Sequence, residues 1–285
     1  MQLLVDIEKT FRRWRDELIV KRLIRSKPLR RHIVNEFDAA VAFLDDHCLA
    51  FDPRDRTIGQ HIWQNGGWFR EETMAVFDSL RSIGRDPAGK LFLEIGANIG
   101  TQTIYALRFG TFCRAVCFEP EPRNARLLRL NAAMNGLGER VSIISAAAGA
   151  SPGDLSLFLS GSNHGAHSLR VPRKGESISV KVMTVDDTLS ELGITPDQVG
   201  LAWIDAEGYE PEVIAGASSL LKYGTPVLIE FNPTVYEAGA GEQLLNSLAE
   251  RYTRCAVAMA GPLEWRSARD IACLSCEKQI DLIFA

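Results

Sequence analysis

The 285-residue sequence has no stretch approaching the ~18 consecutive apolar residues of a membrane-spanning helix, so no such helix is expected. It shows no apolar signal segment either, because charges interrupt the N-terminus from Asp6 onward. Cysteines number six and are not densely spaced, which argues against a disulfide scaffold and makes a reducing cytoplasm the expected setting. Cys273 and Cys276 form one Cys-x-x-Cys pair without a second pair nearby. A structural zinc needs four ligands, so these two, with Cys113 and Cys117, are read as free buried thiols. No internal repeat and no low-complexity segment is present.

What the chain does contain is 46% apolar and 24% charged residues, enough to bury a sizeable core. The length suits two domains or one large α/β domain. A net charge of −4 conceals an asymmetry. The first 35 residues carry ten Lys or Arg against four Asp or Glu, leaving 22 basic and 32 acidic residues in the remainder. A globular part that acidic has no general affinity for nucleic acid. In the basic arm, Leu3, Leu4, Ile7, Phe11, Trp14, Leu18 and Ile19 recur at helical spacing, with Arg12, Arg13 and Arg15 between them. Such a helix either packs on the main domain or a second subunit, making a homo-oligomer, or lies on an anionic membrane surface. A break at Ser26-Lys27-Pro28 precedes a second helix expected around residues 30–48. Residues 51–89 read as a connecting region with an aromatic, Gly-rich turn at 62–69 and a helix over Glu71–Ile83, ended by Gly84, Asp86-Pro87 and Gly89. Residues 1–89 are therefore expected to be a helical N-terminal cap and linker, and 90–285 the functional domain.

From Leu91 the rhythm becomes strand–helix alternation. Strands are expected at 91–95, 115–119, 141–147, 155–159, 178–182, 201–204, 227–231, 255–259 and 279–284. Helices are expected at 103–109, 122–134, 185–192, 211–221 and 241–252. This pattern predicts an α/β fold, doubly wound and Rossmann-like, with a C-terminal antiparallel hairpin at one edge.

In such sheets a ligand sits at the carboxyl ends of the strands, where the strand order reverses. Here that end reads Glu94-Ile95-Gly96-Ala97-Asn98-Ile99-Gly100. The glycines let the backbone turn sharply and approach a ligand, and the turn feeds a helix N-terminus that favours a carboxylate. Glu119, at the end of the second strand, can accept hydrogen bonds from ribose hydroxyls. A nicotinamide enzyme would want Gly-x-Gly-x-x-Gly, but Asn98 and Thr101 replace its second and third glycines. Glu94 would repel a diphosphate, whereas it suits the cationic end of S-adenosylmethionine. The expected cofactor contacts are thus Gly96, Ala97, Asn98, Gly100, Glu119 and Asp205, with Glu94 near the sulfonium and ammonium groups.

Four blocks resemble the FkbM family of S-adenosylmethionine-dependent methyltransferases: residues 94–100; 118–124 with Asn131 and Asn135-Gly136; 184–189; and 204–210 leading to Gly216-Ala217. They span about residues 91–232. Glu94 stands where that family usually has Asp, and Ala206 where it often has Val. The resemblance implies methylation of a hydroxyl on a sugar, glycolipid or related natural product.

A hydroxyl is a weak nucleophile, so a base or metal near its oxygen should help. Asp205, ending the fourth core strand, is the expected base or hydroxyl orienter, with Glu207 a second acidic contact. Glu210 is read as a cap for the following helix. His164 and His167 are alternative bases, although two histidines in an exposed polar loop are ordinary. Asp205, Glu230 and Asn232 could instead hold Mg²⁺. Asn232-Pro233 is similar to the motif of amino-group methyltransferases but follows the wrong strand. Trp63, Trp68 and Phe69 either join the core or form a lid or sugar platform. Two alternatives stand beside a methyltransferase: an NAD(P)-dependent oxidoreductase on a similar fold, and a non-catalytic protein that keeps the pocket.

Overall fold

The computed structural model describes residues 37–172, 175–273 and 278–285. The expected amphipathic helix, the break at 26–28 and Cys276 lie outside these residues. Eight strands form the main sheet in the order β12-β11-β13-β10-β9-β3-β4-β5. These are β3 (Leu91–Ile95), β4 (Arg114–Phe118), β5 (Val141–Ile144), β9 (Val199–Ile204), β10 (Val227–Phe231), β11 (Arg254–Val257), β12 (Arg266–Ser267) and β13 (Ile280–Phe284). The five strands from β10 to β5 run parallel, while β13 is antiparallel to both β10 and β11. This is a Rossmann-like sheet, with the expected antiparallel pairing at its C-terminal side. The chain leaves β3 towards β4 and β5, then returns to lay β9 against the other side of β3. The reversal therefore falls between β3 and β9, and the loops after these strands converge there.

Every residue of β3 and β9 is buried, as expected of parallel strands covered on both faces. Alternation sorts their side chains into two cores. Leu93, Ile95, Ala202, Ile204 and Ile229 join one. Phe92, Leu201, Trp203 and Leu228 join the other, together with Leu49, Phe51, Ile62, Val76, Phe77 and Leu80 from the preceding segment. Residues 37–89 thus share a continuous core with the sheet. The helix Pro122–Met134 matches its expected bounds because Pro122 occupies the first turn and Glu121 caps it, accepting the Asn124 N–H at 2.7 Å.

Several expectations are corrected. Residues 37–48 do not continue a helix: β1 (Ala40–Phe43) and β2 (Cys48–Phe51) pair as a hairpin, and a helix over Ile58–Asn65 follows. The strand expected over 141–147 ends at Ile144; β6 (Ala147–Ala148) belongs to a separate sheet with β8 (Ser177–Met183) and β7 (Gly153–Phe158). The helix expected over 211–221 is two, Glu210–Ala215 and Ser218–Tyr223. It breaks at Gly216 because the chain packs there on Gly149, whose carbonyl oxygen would lie 2.0 Å from any Cβ. Cys117 and Cys255 are buried, but Cys113 is exposed. Among the described residues no helix is long and apolar enough to cross a membrane.

Candidate functional site

The loop after β3 is built by backbone geometry. Gly96 adopts φ +77°, and a Cβ on it would meet the Asp205 carbonyl oxygen at 1.7 Å. Only glycine lets the β3 and β9 loops come so close. Their contact is reinforced by Asp205 N–H donating to Ile95 O at 3.0 Å. Asn98 is left-handed at φ 51°, a region that Asn tolerates better than most residues. Its N–H donates to Glu119 Oε2 at 2.7 Å, and its Nδ2 donates to His164 O at 3.2 Å.

Gly96, Asn98, Glu119, His164, His167, Asp205 and Glu207 all line one cleft, whose walls include Phe118, Leu157, Leu169 and Tyr209. A wider cavity of about 510 Å³ adjoins it, bounded by Thr57, Trp68, Phe69, Trp203, Glu230 and Asp281. Gly96, Asn98, Asp205 and Glu207 line both spaces. Ala97 and Gly100 line neither. Ala97 is 1% exposed, and Gly100 is required where helix Pro122–Met134 crosses, since a Cβ there would meet Leu128 Cδ1 at 2.0 Å.

Glu94 departs from expectation. It shares the parity of Phe92, so its side chain enters the core beneath the loop, where it accepts a hydrogen bond from Thr103 Oγ1 and is 2% exposed. Burial pushes its carboxyl up to about 8, and the nearby Glu119 charge adds to the shift. It is neither in the cleft nor a fixed negative charge facing it. Glu119 does reach the cleft. Its two oxygens accept the Asn98 N–H and, at 2.8 Å, the Glu121 N–H, while burial raises its carboxyl to about 7.

Asp205, Glu207 and Glu230 each offer an oxygen within 4.8 Å of the others. Such a set could share a proton or hold a cation. Burial, then the Glu230 charge, pushes Asp205 well above the usual carboxylate range, and its Oδ1 is buried with no hydrogen-bond partner. Burial, then Glu207, lifts Glu230 to about 9; Gln279 Nε2 donates to Glu230 Oε1. Asp281, opposite Glu230 in the β10–β13 register, is raised by burial to about 6. Asn232 bonds within its own turn and to Gln279. Its Oδ1 accepts from Thr234 N and Oγ1, and its Nδ2 donates to Gln279. Glu207 stands on a left-handed turn at φ 48° that re-aims the chain before Gly208. Glu210 was read as a cap, but it is the first residue of its helix, whose start has no side-chain cap; buried, it accepts from Ala206 N–H at 2.9 Å, Gly208 N–H at 3.2 Å and Tyr236 Oη at 2.8 Å, and so braces the turn before the helix.

The histidines are arranged as braces. His164 Nδ1 lies 3.2 Å from Asp52 Oδ2, and that pairing raises the imidazole above its ordinary range. His164 O accepts from Asn98 and Asn124 Nδ2. His167 Nδ1 accepts the Ser160 N–H at 2.9 Å, which leaves Nε2 carrying the proton of the neutral ring. His164 is thus tied to Asp52 through Nδ1, and His167 holds the Ser160 N–H through the same ring atom.

Sequence reasoning did not identify Asp52, Asp281 or Gln279. Asp52 is buried and joins Arg123, Arg54 and His164; burial would raise it, but hydrogen bonds from His164 and Arg54 hold it below its usual range. No local signal marks it, since its partners lie in other segments. Of the aromatic cluster, Trp63 packs on Phe51 at 5.9 Å and belongs to the core, whereas Trp68 and Phe69 wall the wider cavity.

Residues 94–255 match the model of the methyltransferase FkbM domain. The chain is similar to 2-O-methyltransferase NoeI of Sinorhizobium fredii, with 29% identity over 147 residues covering 46% of this chain. That match spans 58% of the length of NoeI. Solved structures of similar fold include a putative O-methyltransferase from Klebsiella pneumoniae, at 15% identity and TM-score 0.42, covering 75% of this chain and 79% of that one. Cofactor-bound Rv0187 from MTB aligns at 16% identity and TM-score 0.42, covering 75% of this chain and 78% of that one.

Proposed function

The chain belongs to the methyltransferase FkbM family, and from that premise we propose that it transfers a methyl group from S-adenosylmethionine to a hydroxyl of a sugar, glycolipid or related natural product. The observation that carries the reading is Asp205, whose carboxylate borders both the cleft after β3 and the wider cavity beside β10. A base for this reaction must reach the acceptor oxygen where donor and acceptor meet.

The residues of the narrow cleft fit the donor. Phe118, Leu157, Leu169 and Tyr209 offer apolar and aromatic walls for a purine, and Glu119 offers its remaining oxygen lone pairs to ribose hydroxyls. Gly96 keeps the space at the β3–β9 junction free of a side chain. When bound, the donor supplies an electrophilic methyl on a sulfonium, which leaves as a neutral thioether. In this reading Glu119 fixes one end of the donor, and Asp205 orients the acceptor hydroxyl and takes its proton as the oxygen–methyl bond forms. The raised Asp205 and Glu230 carboxyls suit that role, because a shared proton leaves an oxygen ready to accept another. Asn98, Asn124 and Asp52 draw the 163–167 loop down over the narrow cleft, whose volume is about 60 Å³. Ordinary ligand pockets are ~300–1,000 Å³, a size reached here by the adjoining cavity of about 510 Å³ that shares Gly96, Asn98, Asp205 and Glu207 with the cleft.

Thermal-shift titration tests the donor half: stabilisation by S-adenosylmethionine but not by NADH is expected, and the reverse result rejects it. Radiolabelled donor incubated with fractionated polysaccharide, glycolipid and small-molecule extracts tests the acceptor half. Label in amines alone would reject O-methylation.

A further inference from the structure

Resting on the reading that the wider cavity receives the acceptor, we propose that this acceptor is a short oligosaccharide free of acidic groups. Its reacting unit sits beside Asp205, and a further unit occupies a second chamber beyond Trp68 and Phe69. That chamber has a volume of about 720 Å³ and lies between the β1–β2 turn and the start of helix Arg70–Ser82. Trp68 and Phe69 line both it and the cavity that holds Asp205, so the two spaces meet at this aromatic pair.

Trp68 is half-buried and packs against the core, and Phe69 stands out from it. Phe69 is 44% exposed and left-handed at φ 51°, a costly conformation for a bulky residue. Its carbonyl accepts from Thr73 N–H at 3.1 Å and Thr73 Oγ1 at 2.5 Å, which pins the cap of the helix. Trp68 stands edge-on to Phe69 at 4.7 Å and to His61 at 5.1 Å, and its N–H donates to Tyr105 Oη at 3.1 Å. A platform ordered in advance binds without paying for its own ordering.

The surroundings select the ligand class. A sugar ring has an apolar C–H face for an aromatic platform and a rim of hydroxyls that carboxylates accept from. Asp45, Asp46, Glu71 and Glu72 line the chamber, and among the described residues Arg70 is its one Lys or Arg. Asp46 already pairs with Arg70 at 2.6 Å. The chamber is therefore acidic, and among the described residues the adjoining cavity, with Asp205, Glu207, Glu230 and Asp281 in its wall, has no Lys or Arg to receive an anion. Phosphorylated, sulfated or uronic acid ligands would be repelled, while neutral or amino sugars would not.

The test titrates the full chain with β-1,4-linked glucose and glucosamine ladders of one to four units, read by tryptophan fluorescence and calorimetry. A fall in Kd of at least tenfold from one to three units is expected. Phe69→Ala should abolish that gain. Phe69→Gly should abolish it as well while relieving the left-handed strain, so a melting temperature at or above wild type separates lost binding from lost folding. The proposal is overturned by an affinity that is flat with length, by no binding to either ladder, by a gain that survives both variants, or by equally tight binding of a galacturonic acid ladder. Labelled methyl donor with the same ladders separates the two readings. Transfer without length dependence keeps O-methylation and removes the second chamber. Length-dependent binding with no transfer keeps the chamber and removes the O-methylation reading.

Discussion

Replacing Glu94 by Gln separates two pictures of the residue: a counter-charge for a cationic donor, or a buried proton holder beneath the loop. Burial raises its carboxyl from 4.5 to about 8. Each unit corresponds to ~1.36 kcal/mol of preference for the protonated form, so the ceiling is roughly 5 kcal/mol. For an acid whose folded-state value is raised, stability is fully present below the unfolded value and is lost as pH rises through the folded one. The wild type should therefore weaken steadily from about pH 5 to about pH 8 at this site. Relaxation of the surroundings reduces the ceiling, and about 2–4 kcal/mol is the expected loss, large beside a typical total of ~5–15 kcal/mol. Gln retains an oxygen for the Thr103 hydroxyl and has no proton to lose. Glu94→Gln should match wild type near pH 5 and exceed it by about 2–4 kcal/mol near pH 8, measured by urea unfolding across that range. Donor affinity, measured by calorimetry at pH 8, should be unchanged. Parallel stability curves for the two proteins would refute the buried-proton account, and a tenfold loss of donor affinity would return Glu94 to the cleft.

Asp205→Asn should lower turnover by ~10²–10⁴-fold while leaving donor affinity nearly intact; unchanged turnover in a methyl-transfer assay would make Asp205 a structural residue only. Glu119→Ala leaves the half-buried Asn98 and Glu121 N–H groups without this partner, at up to ~1–3 kcal/mol each, so loss of donor affinity should accompany a lower urea midpoint. Asp52→Asn should return the His164 imidazole towards its ordinary range in an NMR titration. Because the folded-state value is raised, the contribution of this contact to wild-type stability should be present at low pH and fade as pH rises through that value, a dependence the variant should lack. Gly96→Ala should give little soluble protein, since its methyl would overlap the Asp205 carbonyl; a normal expression yield and melt would refute the required close approach.

The strands β3 and β10 and the helix Pro122–Met134 were legible because each couples an unbroken apolar or periodic run to a local stop signal. The errors have tertiary causes. Residues 40–43 and 48–51 are too short to display a clear period, and only their mutual pairing makes them strands. The break at Gly216 is imposed by a carbonyl from residue 149, which no window around 216 contains. In the site, Gly96, Asn98, Glu119, Asp205 and Glu207 follow from position at the carboxyl ends of strands, so their convergence could be expected. The direction of Glu94 was also within reach, since it shares parity with Phe92 in a strand buried on both faces. The local bonds of Asn232 follow from its type, since a short polar residue after a strand tends to satisfy its own turn. Asp52 and Asp281 required the register of the hairpin and of β13, which is long-range information.

The missing methyl group at Gly96 acts as a ruler. It sets how near the loops after β3 and β9 can stand, and with them the position of Asp205. Relatives that accept different molecules would then have to diverge at the aromatic and acidic walls farther out, around residues 45–72 and 279–281, while this one junction stays bare.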